Sequence, residues 1–426
     1  MMKFKMLFVG MLCLYLSSLT AQEPVKSEPL FKYDFYGYVA YDAYVDTHES
    51  VITRDGQFYL YPKKPVFHSI TNENLNENYQ FNMLSLQSRA GVKIQGPDAF
   101  NAKTSAVIEA DFFGTAEAYK HLLRVRHAYM KFSWENTTLL LGQYWHPLFT
   151  PECFPLVISF GASTPYNPLN RSPQIRLDHK IFDDFRIVLV AAEHGYHASV
   201  GPEFSQRNAG IPDLQAQIQF KTGSVLFGLG GGYHQLQPLL GTGETPNREK
   251  VNAFNTIVFA NAKFGSLTIK AKSVVGQDLT DMVMIGGFGR IQDDILNDST
   301  YKYAALISYS NWIDMDYKAF ERIGFGLFAG MSGNLGALDK MSKPTNESSL
   351  DVNKRTFFDR NSDIAYMFRI SPRVSYTIKN MEFAFEYLHD RAYFANSFDE
   401  YHKPKTDDLT TGINHRLLFS AKYTFK

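Results

Sequence analysis

In several stretches of this chain charged residues stand two or four positions apart, a spacing that could gather them on one face of a sheet. The basic set is Arg89, Lys93, Arg124, Arg126, Arg171, Arg176, Arg369, Arg373 and Arg416, and the acidic set is Glu109, Asp111, Glu382, Glu386 and Asp390. Guanidinium groups aligned on one surface offer charge-assisted hydrogen bonds to an anionic solute. Carboxylates on an opposing wall would focus a field across the space between. The plainer alternative is that the same residues form ion pairs between neighbouring strands and only brace the wall.

Catalytic and metal chemistry have less support. The chain carries no HEXXH, paired CxxC, P-loop or GxSxG sequence. His127, His146 and His179 make no zinc-ligand spacing. Asp359, Asn361 and Asp363 lack the glycine and closing glutamate of an EF-hand loop, so neither a metal nor a cofactor is expected. Gly228-Leu-Gly-Gly-Gly232 stands inside an apolar strand with no helix pattern after it, which reads as small residues beside bulky neighbours rather than a phosphate loop.

The elements that position these charges are β-strands. Leu417, Phe419, Ala421, Tyr423 and Phe425 alternate with Leu418, Ser420, Lys422 and Thr424, and a period of two means one apolar and one wetter face. The same alternation sets Leu84, Leu86, Ala90, Val92 and Ile94 against Ser85, Gln87, Arg89 and Lys93, and Leu214, Ala216, Ile218 and Phe220 against Gln215, Gln217, Gln219 and Lys221. Sixteen such strands can be drawn. In Leu122 to Trp134 the apolar parity switches between Val125 and Ala128, so a bulge is expected near Arg126, which decides whether Arg124 or Arg126 faces the wet side. Pro372 inside the fourteenth strand predicts a second bulge.

Short links, such as Glu135-Asn136, Thr222-Gly223-Ser224, Gly265-Ser266 and Lys379-Asn380, alternate with long ones rich in Asn, Asp, Gly, Pro and Ser. The link from Asn311 to Arg322 is longer than this pattern predicts. So many long loops count against a compact soluble domain. They fit a membrane barrel with short periplasmic turns and long outer loops. The third long link, Pro147 to Pro173, is apolar from Phe154 to Phe160, and a loop of that character is expected to fold into the lumen, the alternative being that it packs on a neighbouring subunit or on another loop.

The first residues add a compartment. Lys3 and Lys5 precede an apolar run from Met6 to Leu16 and small residues up to Ala21, the pattern of a secretory signal peptide over residues 1–21. The expected mature domain, 22–426, then has Cys153 as its one cysteine, so no intrachain disulfide is expected. Its 41 basic and 43 acidic residues suggest no nucleic-acid partner. With 25 Tyr and 35 Phe the chain has aromatics enough for two interfacial girdles.

Four stretches carry a resemblance: Gln87 to Lys93, Ile108 to Phe113, Leu123 to Lys131 and Leu140 to Phe149. They are similar to those of the DcaP-like porins, trimeric sixteen-stranded outer-membrane channels that favour small anions such as dicarboxylates. The resemblance is strongest from about Phe35 to Phe149. It implies Arg89, Arg124 or Arg126, Arg171, Arg176 and Arg416 as anion contacts. The chain departs from the usual pattern in ending Phe425-Lys426.

The expectation is therefore an all-β protein, a single sixteen-stranded antiparallel transmembrane β-barrel with a third loop folded into the lumen, acting as an outer-membrane porin. Its expected partners are small solutes, the lipid bilayer with lipopolysaccharide, the barrel-assembly machinery and two further copies in a homotrimer. The alternatives are a barrel that serves as a surface binding or adhesion platform, and an outer-membrane barrel hydrolase.

Overall fold

A computed structural model describes residues 30–194, 199–242, 245–292, 301–345 and 355–426. The expected signal peptide, 1–21, lies outside the described residues. The first strands are β1 (Lys32–Asp46), β2 (Gln80–Leu84, resuming as Arg89–Gln95), β3 (Lys103–Asp111) and β4 (Arg124–Ser133). They are followed by β5 (Thr137–Trp145), β6 (Arg171–Phe182), β7 (Phe185–Ala192) and β8 (Asp213–Thr222). Next come β9 (Val225–Leu236), β10 (Val251–Phe264), β11 (Leu267–Gln277) and β12 (Tyr303–Lys318). The last are β13 (Ile323–Gly336), β14 (Ile364–Ile378), β15 (Met381–Ala395) and β16 (Leu409–Phe425).

Each strand pairs antiparallel with the next, and β16 pairs with β1 from Gly37↔Phe425 to Asp46↔Arg416. The sheet therefore closes with no free edge, and the carboxyl-terminal strand is held along its length rather than frayed. All seven turns between even and odd strands are short, and all eight long connections lie at the other end. We call the long ones L1 (47–79), L2 (112–123), L3 (146–170), L4 (193–212), L5 (237–250), L6 (278–302), L7 (337–363) and L8 (396–408).

Alternation sorts the side chains into two environments. On β8, Leu214, Ile218 and Phe220 are exposed on the outside, whereas Gln215, Gln217 and Gln219 are buried within. Val39, Phe81, Ile175, Phe254 and Leu417 repeat the pattern around the wall, giving a continuous apolar exterior. A surface of that extent is a binding face, and on a closed barrel its solvent is hydrocarbon.

Three expectations need correction. β12 runs on to Lys318, so the link to β13 is only residues 319–322, and Asp314 and Asp316 belong to a strand. Pro372 causes no bulge: β14 pairs with β15 at Ile370↔His389 and again at Arg373↔Glu386 in unchanged register, and the missing proline N–H is absorbed by a gap in the ladder. Leu84 and Leu86 do not face outward. Between Asp42↔Leu84 and Tyr38↔Arg89, four residues of β2 oppose three of β1, and the slip turns both leucines inward. There Ser88 Oγ accepts from the Ala40 amide at 3.0 Å in place of a ladder bond.

The bulge at Arg126 is present. Glu109 pairs with His127 and Ala110 with Val125, leaving Arg126 as the extra residue. Both Arg124 and Arg126 are buried on the inner side as a result.

The glycine run on β9 gives room to bulky inner neighbours. A Cβ on Gly228 would stand 2.1 Å from the Phe259 ring, and one on Gly230 would stand 2.5 Å from Gln217 Cγ. Gly228→Val should therefore overpack the wall and cost about 1–3 kcal/mol. Urea unfolding in detergent should show a lowered midpoint, and an unchanged midpoint would contradict this packing.

Candidate functional site: the lumen

One inner wall, formed by β2 to β6, gathers four arginines around two carboxylates. Arg124 donates from Nε and Nη2 to Asp111 at 2.6 and 3.1 Å. Arg126 bridges both acids, with Nε 2.7 Å from Glu109 Oε1 and Nη1 3.1 Å from Asp111 Oδ2. Arg89 reaches Glu109 more loosely at 3.7 Å, and its side chain keeps 20% of its surface exposed. Arg171, at the start of β6, lies with its guanidinium 4.6 Å from the centre of the Trp145 ring. The wall is thus net positive, because four guanidiniums share two carboxylates.

The other expected residues are also inside but are engaged elsewhere. Arg176 pairs with Asp178, the next inward residue of its own strand, at 2.9 Å. Arg373 pairs with Asp314 at 2.7 Å and with Asp316 at 3.2 Å. Arg416 closes the β1–β16 seam on Asp46 at 2.6 and 2.8 Å and reaches the Gly56 carbonyl at 2.8 Å. Lys93 is exposed near the short-turn end, 5.3 Å from the Tyr36 ring centre, and Glu382 faces Lys422 at 3.8 Å.

The carboxylates do not form a wall opposing the arginines. Glu109 and Asp111 lie on the arginine wall itself, while Glu386 and Asp390 serve the loops that enter the lumen. The reason is distance: an inward acid is adjacent to its strand neighbours and to whatever fills the barrel, and pairs with those first.

What fills the barrel is L3 together with part of L1. Residues 146–170 run inside and are tied to the far wall at successive points. Lys272 donates to the carbonyls of Leu148 and Phe149 at 3.1 and 2.6 Å and to Asn167 Oδ1 at 3.0 Å. Lys270 reaches the Phe154 carbonyl at 3.1 Å, and Asp314 accepts from the Leu156 amide at 2.8 Å. Glu386 accepts from the amides of Ile158 and Ser159, the latter at 2.9 Å. Tyr166 donates its hydroxyl to Asp390 at 2.9 Å. Burial raises the Cys153 thiol pKa, and burial beside Asp390 raises that of the Tyr166 phenol, so both stay uncharged at neutral pH.

The L1 contribution is a hairpin, Ser50–Thr53 with Phe58–Pro62, that packs against L3 through Phe58 and Phe160 at 5.8 Å between ring centres. Arg369 joins the two loops: it holds Asp390 at 2.6 and 2.8 Å, donates to the carbonyls of Leu60 and Thr164, and lies between the rings of Tyr59 and Tyr166. Below L3, towards the short turns, a cavity of about 750 Å³ is lined by Phe154, Leu156, Asp316, Arg373, Glu382 and Lys422. The lumen is therefore narrowed at mid-height and opens into a charged vestibule.

Sequence reasoning missed the L1 hairpin, Asp46 and Asp314. The hairpin strands are only 4 and 5 residues long, too short to stand out within a long loop. Asp314 lies in the stretch from Asn311 to Arg322, which reads in the sequence as a link and in the structure is mostly strand. Among the described residues no group of three or more His, Cys, Asp and Glu is arranged to hold a metal ion.

No protein-family model matches the chain, and no curated protein matches its sequence. Solved structures do match. The outer-membrane channel DcaP of Acinetobacter baumannii superposes with a TM-score of 0.68 at 16% identity, over 94% of this chain and 99% of the other. The chain has the fold of an outer-membrane channel. The outer-membrane protein OmpT of Vibrio cholerae is also similar, with a TM-score of 0.53 at 12% identity over 94% and 99% of the two chains. So is an anion-selective porin from Comamonas acidovorans, with a TM-score of 0.53 at 8% identity over 93% of this chain and all of that one. The closed β-barrel fold is shared with these outer-membrane proteins.

Proposed function

We propose that the chain is a DcaP-like porin of a Gram-negative outer membrane, a homotrimer that lets small hydrophilic anions, dicarboxylates among them, diffuse passively. The observation that carries this reading is the arginine wall, where Arg89, Arg124, Arg126 and Arg171 surround only Glu109 and Asp111. An anion entering the narrowed lumen loses part of its hydration, and guanidinium groups offset that loss with charge-assisted hydrogen bonds. The two built-in carboxylates compete for the same groups, which keeps binding weak enough for release. No residue is assigned a catalytic role.

One observation favours a second reading. L1 and L3 together fill the middle of the barrel, as they would if the wall were mainly a platform for surface loops that bind a partner. Uptake into proteoliposomes separates the two. The porin reading predicts that succinate enters several-fold faster than erythritol, a neutral solute of similar size. Faster entry of erythritol would overturn the anion preference, and no entry of either would favour the platform.

A further inference from the structure

The outer wall carries a cation that the lumen does not explain. Arg391, on β15, points away from the lumen between Phe368 of β14 and Ile413 of β16. Its guanidinium lies 5.1 Å from the centre of the Tyr393 ring, and its Nε is buried with no hydrogen-bond partner. Among the described residues it makes no salt bridge, whereas Arg124, Arg126, Arg369, Arg373 and Arg416 all do. The acids of its own strand, Glu386 and Asp390, point inward and are occupied by L3 and Arg369. Beside it on the outer wall, His389 and His415 approach at 3.5 Å between Nδ1 atoms, and His415 Nδ1 lies 2.6 Å from the Tyr387 hydroxyl.

Height decides what could meet this cation. The short-turn rim of β15 and β16 is marked by Met381↔Tyr423, and Arg391 is ten residues further up β15. At the rise and tilt of barrel strands that is about 25 Å, the height of the apolar band, so Arg391 stands at the upper edge within the aromatic girdle. A guanidinium there can bury its stem on apolar wall and turn its charge to the headgroup layer. Phosphate oxygens occur at that level, and a guanidinium fork engages phosphate with two parallel bonds.

We propose that Arg391, with His389 and His415 beside it, is a binding site for the phosphate of an anionic glycolipid headgroup in the leaflet at the long-loop end. The site rests on the barrel's membrane placement and not on which solute passes through it. The patch presents one guanidinium, two imidazoles and a phenol hydroxyl as hydrogen-bonding groups and none of its own carboxylates, which complements a phosphate. It is also continuous with the lipid-facing residues Phe385, Leu417 and Phe419.

Native mass spectrometry of the full barrel in detergent, titrated with diphosphoryl lipid A, tests this. Wild type should retain the lipid, and R391Q should weaken retention at least about tenfold, because both charge-assisted bonds of the fork are lost and the amide returns at most one neutral bond. H389Q/H415Q should weaken it less, and R391K should restore part of it. Equal retention by wild type and R391Q would overturn the site, as would tighter retention of phosphatidylglycerol than of lipid A. The same spectra report subunit number: if R391Q dissociates the oligomer while lipid A stays bound, the guanidinium docks on a second copy and the proposal fails.

Discussion

Asp390→Ala should destabilise the folded barrel by about 3–5 kcal/mol, the cost of leaving a buried charge without its partner. Arg369 is 2% exposed, and it holds Asp390 through both Nε and Nη2. Its remaining bonds go to Leu60 of L1 and to Thr164 of L3, so the same guanidinium fixes both loops inside the lumen. Loss of the acid leaves that cation between the Tyr59 and Tyr166 rings in a site that water reaches poorly. Tryptophan fluorescence during urea unfolding in detergent should show the lowered midpoint, and single-channel records should show larger, noisier openings as L1 and L3 loosen. The double variant R369M/D390L should recover much of the stability, because an apolar pair needs no charge partner. A wild-type midpoint and a quiet, unchanged conductance for Asp390→Ala would show that this clamp does not hold the loops.

The second large effect is on selectivity. Arg89→Glu should reduce the ratio of anion to cation permeability several-fold and bring it close to unity. The change takes the wall from four cations and two carboxylates to three of each, and removes its net charge. Arg89 is the residue to change because its contact with Glu109 is the loosest of the set, at 3.7 Å, and its side chain is the one still partly exposed to the lumen. Arg89→Gln should give a smaller shift in the same direction. Both effects should shrink in about 1 M salt, where the screening length falls to about 3 Å. A ratio unmoved by Arg89→Glu at low salt would mean that the arginine wall does not set selectivity.

Much of this architecture can be read from residue order, for reasons that differ by element. Strand parity is a strong signal wherever one face meets hydrocarbon, and it locates the bulge at Arg126, but it offers Arg124 or Arg126 as the inward residue where the bulge turns both inward. It fails at Leu84 and Leu86, because a one-residue slip between β1 and β2 leaves no mark in composition. It also fails at Pro372, where the wall tolerates a missing donor without changing register. The apolar middle of L3 announces a loop that avoids water, and the structure places it inside. The L1 hairpin gives no such notice. Charge pairing was the least readable feature: parity tells which face Glu109, Glu386 and Asp390 occupy, but not that the arginine wall, L3 and Arg369 claim them.

The reversal potential of the wild-type protein, reconstituted in a planar bilayer across a steep KCl gradient at low ionic strength, tests the central claim most directly. A net positive arginine wall at the narrowed lumen predicts a potential of the sign set by chloride movement. A potential of the sign set by potassium would contradict it, and so would a folded, inserted barrel that passes no current.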